Sequence, residues 1–533
     1  MKNEFDNIFG KYVSPENGSR WSSQEEIMNA PTMQRINIVT ENCPVGGIPV
    51  ISDRRTAYVN GSDMHAIIFG ATGSKKTRIF VMPLIKILAL ADESFIATDP
   101  KGELFHKTAP LVAAKGYKTI VLNFRNPKES NTWNPLQLPY FLYHNGKTEE
   151  AISLLNDFIH ALAEPHRRQT NDRYWIDLGC SQFLANLLFF IETATPEEAN
   201  IYSFVNFFTK TCSVTETVKL ADIVAEGSIA SLNYNSVLTN KEADRTFANV
   251  SSTVMLMLSP FIVRKSLCQV LSKSSFDVRD ASKTKTAIYV IVPDEKTTMH
   301  FLATLFIKQT YEALINEAQQ MENKKLPVRV NFVLDEFCNI PKIEDMPAII
   351  SAARSRNIRF FLMVQGLKQL KQKYNEDAET IIGNCENLIF LTSREYALLQ
   401  EISNLCGNMV HYQPDGKRVT TPLISVSDLQ RLKKECGEAL IIHGRNYPYV
   451  TELPDIDEYM FNEYPPVEVK ENSLPKIVLY DAKKVIDEIE TNKRPIPFSV
   501  EVHGEERFYA PPVANSLKDI FAEWNNQADL WNY

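Results

Sequence analysis

A chain of 533 residues is too long for one hydrophobic core and predicts two or three domains. Its 44% hydrophobic and 23% charged content is globular, and a net charge of −8 excludes a uniformly basic nucleic-acid binder while leaving room for a basic channel on an acidic body. The eight cysteines include no C-x-x-C pair, so neither a zinc site nor a disulfide framework is expected and the thiols read as reduced and cytoplasmic. The opening Met1-Lys2-Asn3-Glu4-Phe5-Asp6 is polar and acidic, unlike a secretory signal. No segment reads as a membrane span: 79–91 carries Pro83 and Lys86, and 183–191 is short, so both are expected as buried helices.

In chain order, residues 1–60 hold turn signals and short strand-like pieces such as Gly47-Ile48-Pro49-Val50-Ile51. The apolar run 66–69 reads as a buried strand. It feeds Gly70-Ala71-Thr72-Gly73-Ser74-Lys75-Lys76-Thr77-Arg78. This is the layout of a phosphate-binding loop, in which backbone N–H groups and a helix N-terminus face the phosphates. Lys76 would reach the β- and γ-phosphates and Thr77 would offer its hydroxyl to Mg²⁺. The alternative is a strand–turn–helix with a chance Gly-x-x-Gly. The pattern wants glycine before the lysine, where a residue without Cβ takes unusual φ/ψ angles, and here that position is Lys75. Lys75 either bears a conformational cost or adds an ammonium contact to phosphate.

The strand 94–98 ends at Asp99-Pro100-Lys101-Gly102-Glu103, and strand 118–122 follows the next helix. Residues 148–262 are mainly helical, with apolar spacing in 151–162, 175–191 and 250–261. Strands resume at 286–292, 328–334, 359–364, 387–391 and 438–442. Alternating strands and helices predict an α/β fold with a parallel, doubly wound sheet. The strand at 328–334 ends in Asp335-Glu336: an Asp for Mg²⁺ and a Glu to polarise the attacking water, or else a solvated strand end. Lys76 and Asp335 must meet across one Mg²⁺ despite the long gap between them, which an inserted helical domain explains. The expected units are 1–147 and 266–454 for the nucleotide-binding domain, 148–265 for the all-α insertion and 455–533 for a C-terminal extension. Within the last, 455–472 reads as a linker or wrapping arm. Residues 516–533, with Leu517, Ile520, Phe521, Trp524, Leu530 and Trp531, read as an amphipathic helix that packs on its own body or binds a partner.

These blocks resemble the type IV secretion coupling proteins, the VirD4/TraG class of conjugative DNA-transfer ATPases related to FtsK/HerA motors. The likeness runs from about residue 15 to 450. Gly18-Ser19-Arg20-Trp21 with Glu25-Glu26, Asp99-Pro100-Lys101-Gly102-Glu103-Leu104 and Trp133-Asn134-Pro135-Leu136 look like family signatures. So do Leu334-Asp335-Glu336-Phe337-Cys338-Asn339-Ile340-Pro341, Arg354-Ser355-Arg356-Asn357 and Gln365-Gly366-Leu367-Lys368-Gln369-Leu370.

The resemblance implies a RecA/FtsK-like P-loop domain that binds ATP and Mg²⁺, assembles as a homo-hexamer and delivers single-stranded DNA with its relaxase to type IV secretion components. Within it, Glu336 activates water, Asp335 and Thr77 hold Mg²⁺, and Gln365 senses the γ-phosphate or caps its strand. Arg354 is the candidate for an arginine finger given in trans, with Arg356 its rival and a surface salt bridge the plainer reading; Lys101 and Glu103 support the crevice. Candidate pore cations are Arg167, Arg168, Arg173, Arg264, Lys265 and Lys273, each equally readable as solvated surface. The family's N-terminal membrane helices have no counterpart here, so a peripheral position at the inner face of the membrane would need a separate tether. Two other readings stay open: a recruitment adaptor that binds nucleotide with little turnover, which Lys75 favours, and a DNA-translocating ATPase unconnected to secretion.

Overall fold

The computed structural model describes residues 18–167, 173–239, 244–293, 295, 297–412, 414, 416–469 and 471–498. Arg168 and the 516–533 segment lie outside them. The strands, in chain order, are β1 (Met33–Asn37), β2 (Ile48–Ser52), β3 (Thr56–Asn60), β4 (Ala66–Phe69), β5 (Ser94–Thr98), β6 (Lys118–Asn123) and β7 (Thr286–Ile291). They continue with β8 (Val330–Leu334), β9 (Ile358–Val364), β10 (Asn387–Phe390), β11 (Asn408–Tyr412), β12 (Arg418–Pro422), β13 (Glu438–His443) and β14 (Tyr449–Glu452).

Nine strands form one sheet in the order β14-β13-β10-β4-β9-β8-β5-β7-β6. β4, β5, β7, β8 and β9 are mostly apolar and buried at every position, the pattern of strands covered on both faces. The pairs from β10 to β6 are parallel, whereas β13 runs antiparallel to β10, and β14 to β13. The sheet is therefore mixed rather than wholly parallel, which corrects the expectation at 438–442. The link 444–448 is too short for a crossover, so β14 can return beside β13 only antiparallel.

Alternation along each strand divides the core. Ile68, Phe95, Ala97, Val333 and Met363 face a layer made by the helices Met82–Leu90 and Glu103–Ala114 and by a small antiparallel sheet in the order β1-β3-β2. Ile67, Phe69, Ile96, Phe332 and Leu362 face the other layer, which includes Phe158 and Leu162 of the helix Thr148–Arg167 and Phe306 of the helix His300–Gln320. Between β6 and β7 the chain runs through helices only, apart from turns, among the described residues. Their core is aromatic: Phe183 stacks on Phe204 at 5.1 Å, and Phe190 meets Phe204 edge-on at 5.5 Å. The helix Tyr174–Thr193 is long and apolar enough to cross a membrane, but its residues 183–191 are buried in this helical core.

After β14 the chain wraps the molecule. Leu453, Ile456, Tyr459 and Phe461 bury against the first layer. Asn472 N–H donates to the Lys128 carbonyl (2.7 Å) beside β6. Tyr480 then reaches the helical insertion, its ring 5.2 Å from Phe190 and 5.4 Å from Phe207. The helix Ala482–Glu490 follows, burying Ala482, Val485 and Ile489.

Candidate nucleotide-binding site

Residues 70–77 leave the C-terminal end of β4, the strand flanked by β9 and β10. The N–H groups of Gly70 and Ala71 donate to the carbonyls of Val364 (3.0 Å) and Thr392 (2.9 Å), which anchors the loop to the ends of the neighbouring strands. A Cβ at Gly70 would lie 2.5 Å from Ser74 Oγ, so the loop closes only over glycine. Lys75 stands at φ +64°. It occupies the left-handed region that the motif's glycine serves, and among the described residues its side chain makes no hydrogen bond or ion pair. Lys76 is 5% exposed and its Nζ donates to the Gly70 carbonyl at 2.5 Å. Burial pushes the Lys76 ammonium below its ordinary pKa, and the carboxylates of Glu336 and Asp335 oppose that shift.

The helix after the loop opens with a π turn, Thr77–Val81, in which Met82 N–H reaches back to the Thr77 carbonyl. Pro83 explains the wide turn. It has no N–H for the carbonyl of Ile79, and its ring would crowd that carbonyl in a regular α-turn.

The acidic pair sits beside the loop because β8 lies two strands from β4, across β9. Thr77 Oγ1 donates to Asp335 Oδ2 at 3.0 Å, and Thr98 Oγ1 of β5 donates to the Asp335 carbonyl at 2.8 Å. Asp335 is 5% exposed. Burial, and then the charge of Glu336, pushes its carboxyl up to about 6. Glu336 turns out of the strand at φ +54°. Its Oε2 accepts from Gln365 Nε2 (2.7 Å) and Asn339 Nδ2 (3.3 Å). Gln365 Oε1 in turn accepts from Thr72 Oγ1 of the loop (3.2 Å). A closed chain of contacts thus joins loop, Gln365 and Glu336, while Thr77 joins the loop to Asp335. A tight loop at a strand's C-terminal end, a buried ammonium, a hydroxyl and two carboxylates fit a nucleoside triphosphate with a hydrated divalent cation.

Other sequence-predicted residues lie elsewhere. Arg78 points away from the loop: its Nε donates to Asp455 Oδ2 at 2.8 Å and its Nη2 pairs with Asp457, both on the wrapping arm. Arg354 lies before β9, at the opposite end of that strand from Gln365, roughly 23 Å away at strand rise. It binds Glu386 at 2.9 Å, with Asp63 at 3.8 Å. Arg356 is half-buried beside it. The pore cations do not form one cluster. Arg167 bonds Asp177 (2.7 Å), and Arg173 precedes Trp175, which packs on Phe247 near the start of the helix Asp244–Val263. Arg264 and Lys265 follow the far end of that helix, roughly 25 Å along its axis.

The sequence places Thr72 in the loop and Asn339 in the block after Glu336, and the structure adds that they hold Gln365 and Glu336. The sequence reading passed over Arg125, just beyond β6, at the strand-end edge where the loop lies; Arg125 bonds Glu295 (2.7 Å) and the Pro100 carbonyl (3.1 Å).

The sequence profile described as "Type IV secretory system Conjugative DNA transfer" matches residues 20–425. Among curated relatives, the Protein VirD4 chains of Rhizobium radiobacter and Agrobacterium fabrum are each 24% identical over 73% of this chain. The chain spans about half the length of these relatives, 54% and 56%. Among solved structures, the unbound bacterial conjugative coupling protein TrwB superposes with TM-score 0.61 at 13% identity, covering 86% of this chain and 97% of that one. TrwB with the ATP analogue ADPNP gives 0.60 at 13% identity, covering 87% and 98%. TrwB with ADP and Mg²⁺ gives 0.58 at 13% identity, covering 86% and 97%. The fold is thus the α/β P-loop fold of those coupling proteins, and this chain belongs to the type IV secretory system conjugative DNA-transfer family.

Proposed function

We propose that the chain is an ATP-dependent coupling motor that recruits a DNA–relaxase complex and drives it into a conjugative type IV secretion channel. The observation that carries this reading is the meeting of Lys76 and Thr77 with Asp335, Glu336 and Gln365 at one edge of the sheet, with Thr77 Oγ1 3.0 Å from Asp335 and Gln365 Nε2 2.7 Å from Glu336. TrwB, which shares the fold, binds ADPNP, and ADP with Mg²⁺, and that supports assigning ATP and Mg²⁺ here.

In this reading the loop 70–78 wraps the phosphates, with the N–H groups of Gly73, Lys75, Lys76 and Thr77 facing them and those of Gly70, Ala71, Ser74 and Arg78 holding the loop's shape. Lys76 exchanges the Gly70 carbonyl for phosphate oxygens, and Thr77 and Asp335 hold the cation. Bound Mg²⁺ neutralises charge that develops on the transferred phosphoryl group. Glu336, held by Gln365 and Asn339, accepts a proton from the attacking water, and Gln365 relays the state of the γ-phosphate to Thr72. Arg354 acts in trans on a neighbour within a homo-hexameric ring. Single-stranded DNA passes over basic side chains of the helical insertion. The assembly sits at the cytoplasmic face of the membrane, tethered by a partner and docked on secretion components.

A recruitment adaptor with slow turnover is the second reading, favoured by the left-handed Lys75 in the loop. Calorimetry with ATP, and ATPase rates with and without single-stranded DNA, separate the two. The motor requires turnover that rises with DNA, and Glu336→Gln should keep ATP binding while losing about 10²-fold or more in kcat. Binding without turnover supports the adaptor, and absence of binding overturns both.

A further inference from the structure

We propose that Asp99 is a positioning residue of the nucleotide site, an acceptor that holds a Mg²⁺-bound water beside Asp335. This rests on the nucleotide–Mg²⁺ reading above. Asp99 follows β5, which pairs in parallel with β8, Thr98 lying opposite Leu334. The register sets Asp99 and Asp335 side by side at the tips of adjacent strands, their Cα atoms about 4.8 Å apart.

The Asp99 carboxylate is 1% exposed. Its Oδ2 accepts from Phe105 N–H (2.9 Å) in the first turn of the helix Glu103–Ala114, the N–H groups of Leu104 and Gly102 also act on the carboxylate, and its Oδ1 makes no hydrogen bond of its own among the described residues. A buried acceptor left bare is unfavourable, so an oxygen in this position calls for a donor beyond those the protein supplies. Asp99 lines a cavity of ≈ 20 Å³ shared with Thr98, Asp335, Glu336, His300 and Asn339, room for about one water molecule.

The other polar walls are already engaged. Thr98 Oγ1 donates to the Asp335 carbonyl (2.8 Å), and Asn339 Nδ2 donates to Glu336 (3.3 Å). The His300 ring nitrogens face the carbonyls of Pro293 (2.8 Å) and Asn339 (3.0 Å). Among the polar groups of these wall residues that are buried, Asp99 Oδ1 is the one with no hydrogen-bond partner among the described residues. Mg²⁺ retains several waters and binds through only one or two carboxylates, so a second carboxylate beside the ligating one orients the cation through its water.

The competing role is purely structural, a cap for the helix Glu103–Ala114. Asp99→Asn separates the two, because the amide oxygen still accepts from Phe105 N–H while an NH₂ replaces the unpartnered acceptor. Calorimetry with the non-hydrolysable analogue AMP-PNP, in EDTA and in MgCl₂, gives the readout. Asp99→Asn should bind as the parent does in EDTA and lose about tenfold or more of the Mg²⁺ enhancement. A variant that keeps the parent's enhancement within twofold overturns the proposal, whatever its thermal midpoint. If Asp99→Asn does not fold, Asp99→Ser, which keeps one oxygen for the cap, takes its place under the same criterion. If neither folds, Asp99 is a structural residue and the proposal is overturned. A parent protein with no Mg²⁺ enhancement at all instead overturns the nucleotide–Mg²⁺ reading itself.

Discussion

Lys75 holds its φ of +64° between two motif residues, and that conformation costs a non-glycine side chain about 1–2 kcal/mol. Lys75→Gly should raise fold stability by less than about 1 kcal/mol, because glycine's extra freedom in the unfolded chain offsets part of the relief. On the proposal that the ammonium contacts the triphosphate, the same change should weaken ATP binding, more so at low salt, where the charge is least screened. Denaturant melts and calorimetry at two salt concentrations read the two effects separately. Unchanged affinity at both would turn Lys75 away from the nucleotide.

Asp335 sets a pH dependence. In the nucleotide-free protein its carboxyl titrates near 6, above the ordinary 3.8, because it is buried beside Glu336. The fold therefore favours the protonated form, and this group's contribution to stability is lost as pH rises from about 4 through 6. A cation needs the opposite form. The Mg²⁺ enhancement of nucleotide affinity should fall about tenfold from pH 7 to pH 5, measured as the ratio of affinities with and without Mg²⁺. A ratio independent of pH would assign the proton elsewhere.

Among the elements, the wrapping arm joins what the helical insertion separates. Arg78, two residues past Lys76, is paired with Asp455 and Asp457, and the same arm ends with Tyr480 between Phe190 and Phe207 of the insertion. Arg78 and Asp457 are well exposed, so their pairing contributes little to stability, about 1 kcal/mol at most. Tyr480 is buried, and Tyr480→Ala should destabilise the protein by about 3 kcal/mol in urea unfolding, as large aromatic truncations in a core do. A loss below about 1 kcal/mol would mean that the arm rests on the insertion without closing its core.

For the whole molecule, the sheet has polarity. The candidate site lies at the C-terminal ends of the parallel strands, and Arg354 lies at the other end, so it can serve only a neighbour's nucleotide. On the proposed ring and ATPase, Lys76→Ala and Arg354→Ala, each inactive alone, should regain part of the activity when mixed, because a mixed ring would contain interfaces with an intact loop on one side and an intact arginine on the other. Arg125, on the same edge as the loop and beyond the outermost strand, is the control. If Arg125→Ala complements Lys76→Ala and Arg354→Ala retains parent activity, the finger is Arg125.

The hairpin β11–β12 is not legible in the sequence by itself, whereas eight strands of the central sheet between 66 and 442, the loop at 70–78, the carboxylates 335 and 336 and the family likeness are. These are local signals: apolar runs bounded by turns, and residue types whose chemistry depends on adjacent neighbours. The same local character explains Gln365, which is legible because it follows a strand directly. Only the tertiary structure decided the rest. Strand order and the antiparallel edge of β13 and β14 come from pairing between segments far apart in the chain, which no single run of residues specifies. Side-chain partners are likewise non-local: Arg78 adjoins the loop in sequence, yet two carboxylates of the distant arm capture its charge. Asp99 reads in sequence as one residue of a turn, and it stands beside Asp335 because β5 and β8 are neighbours in the sheet.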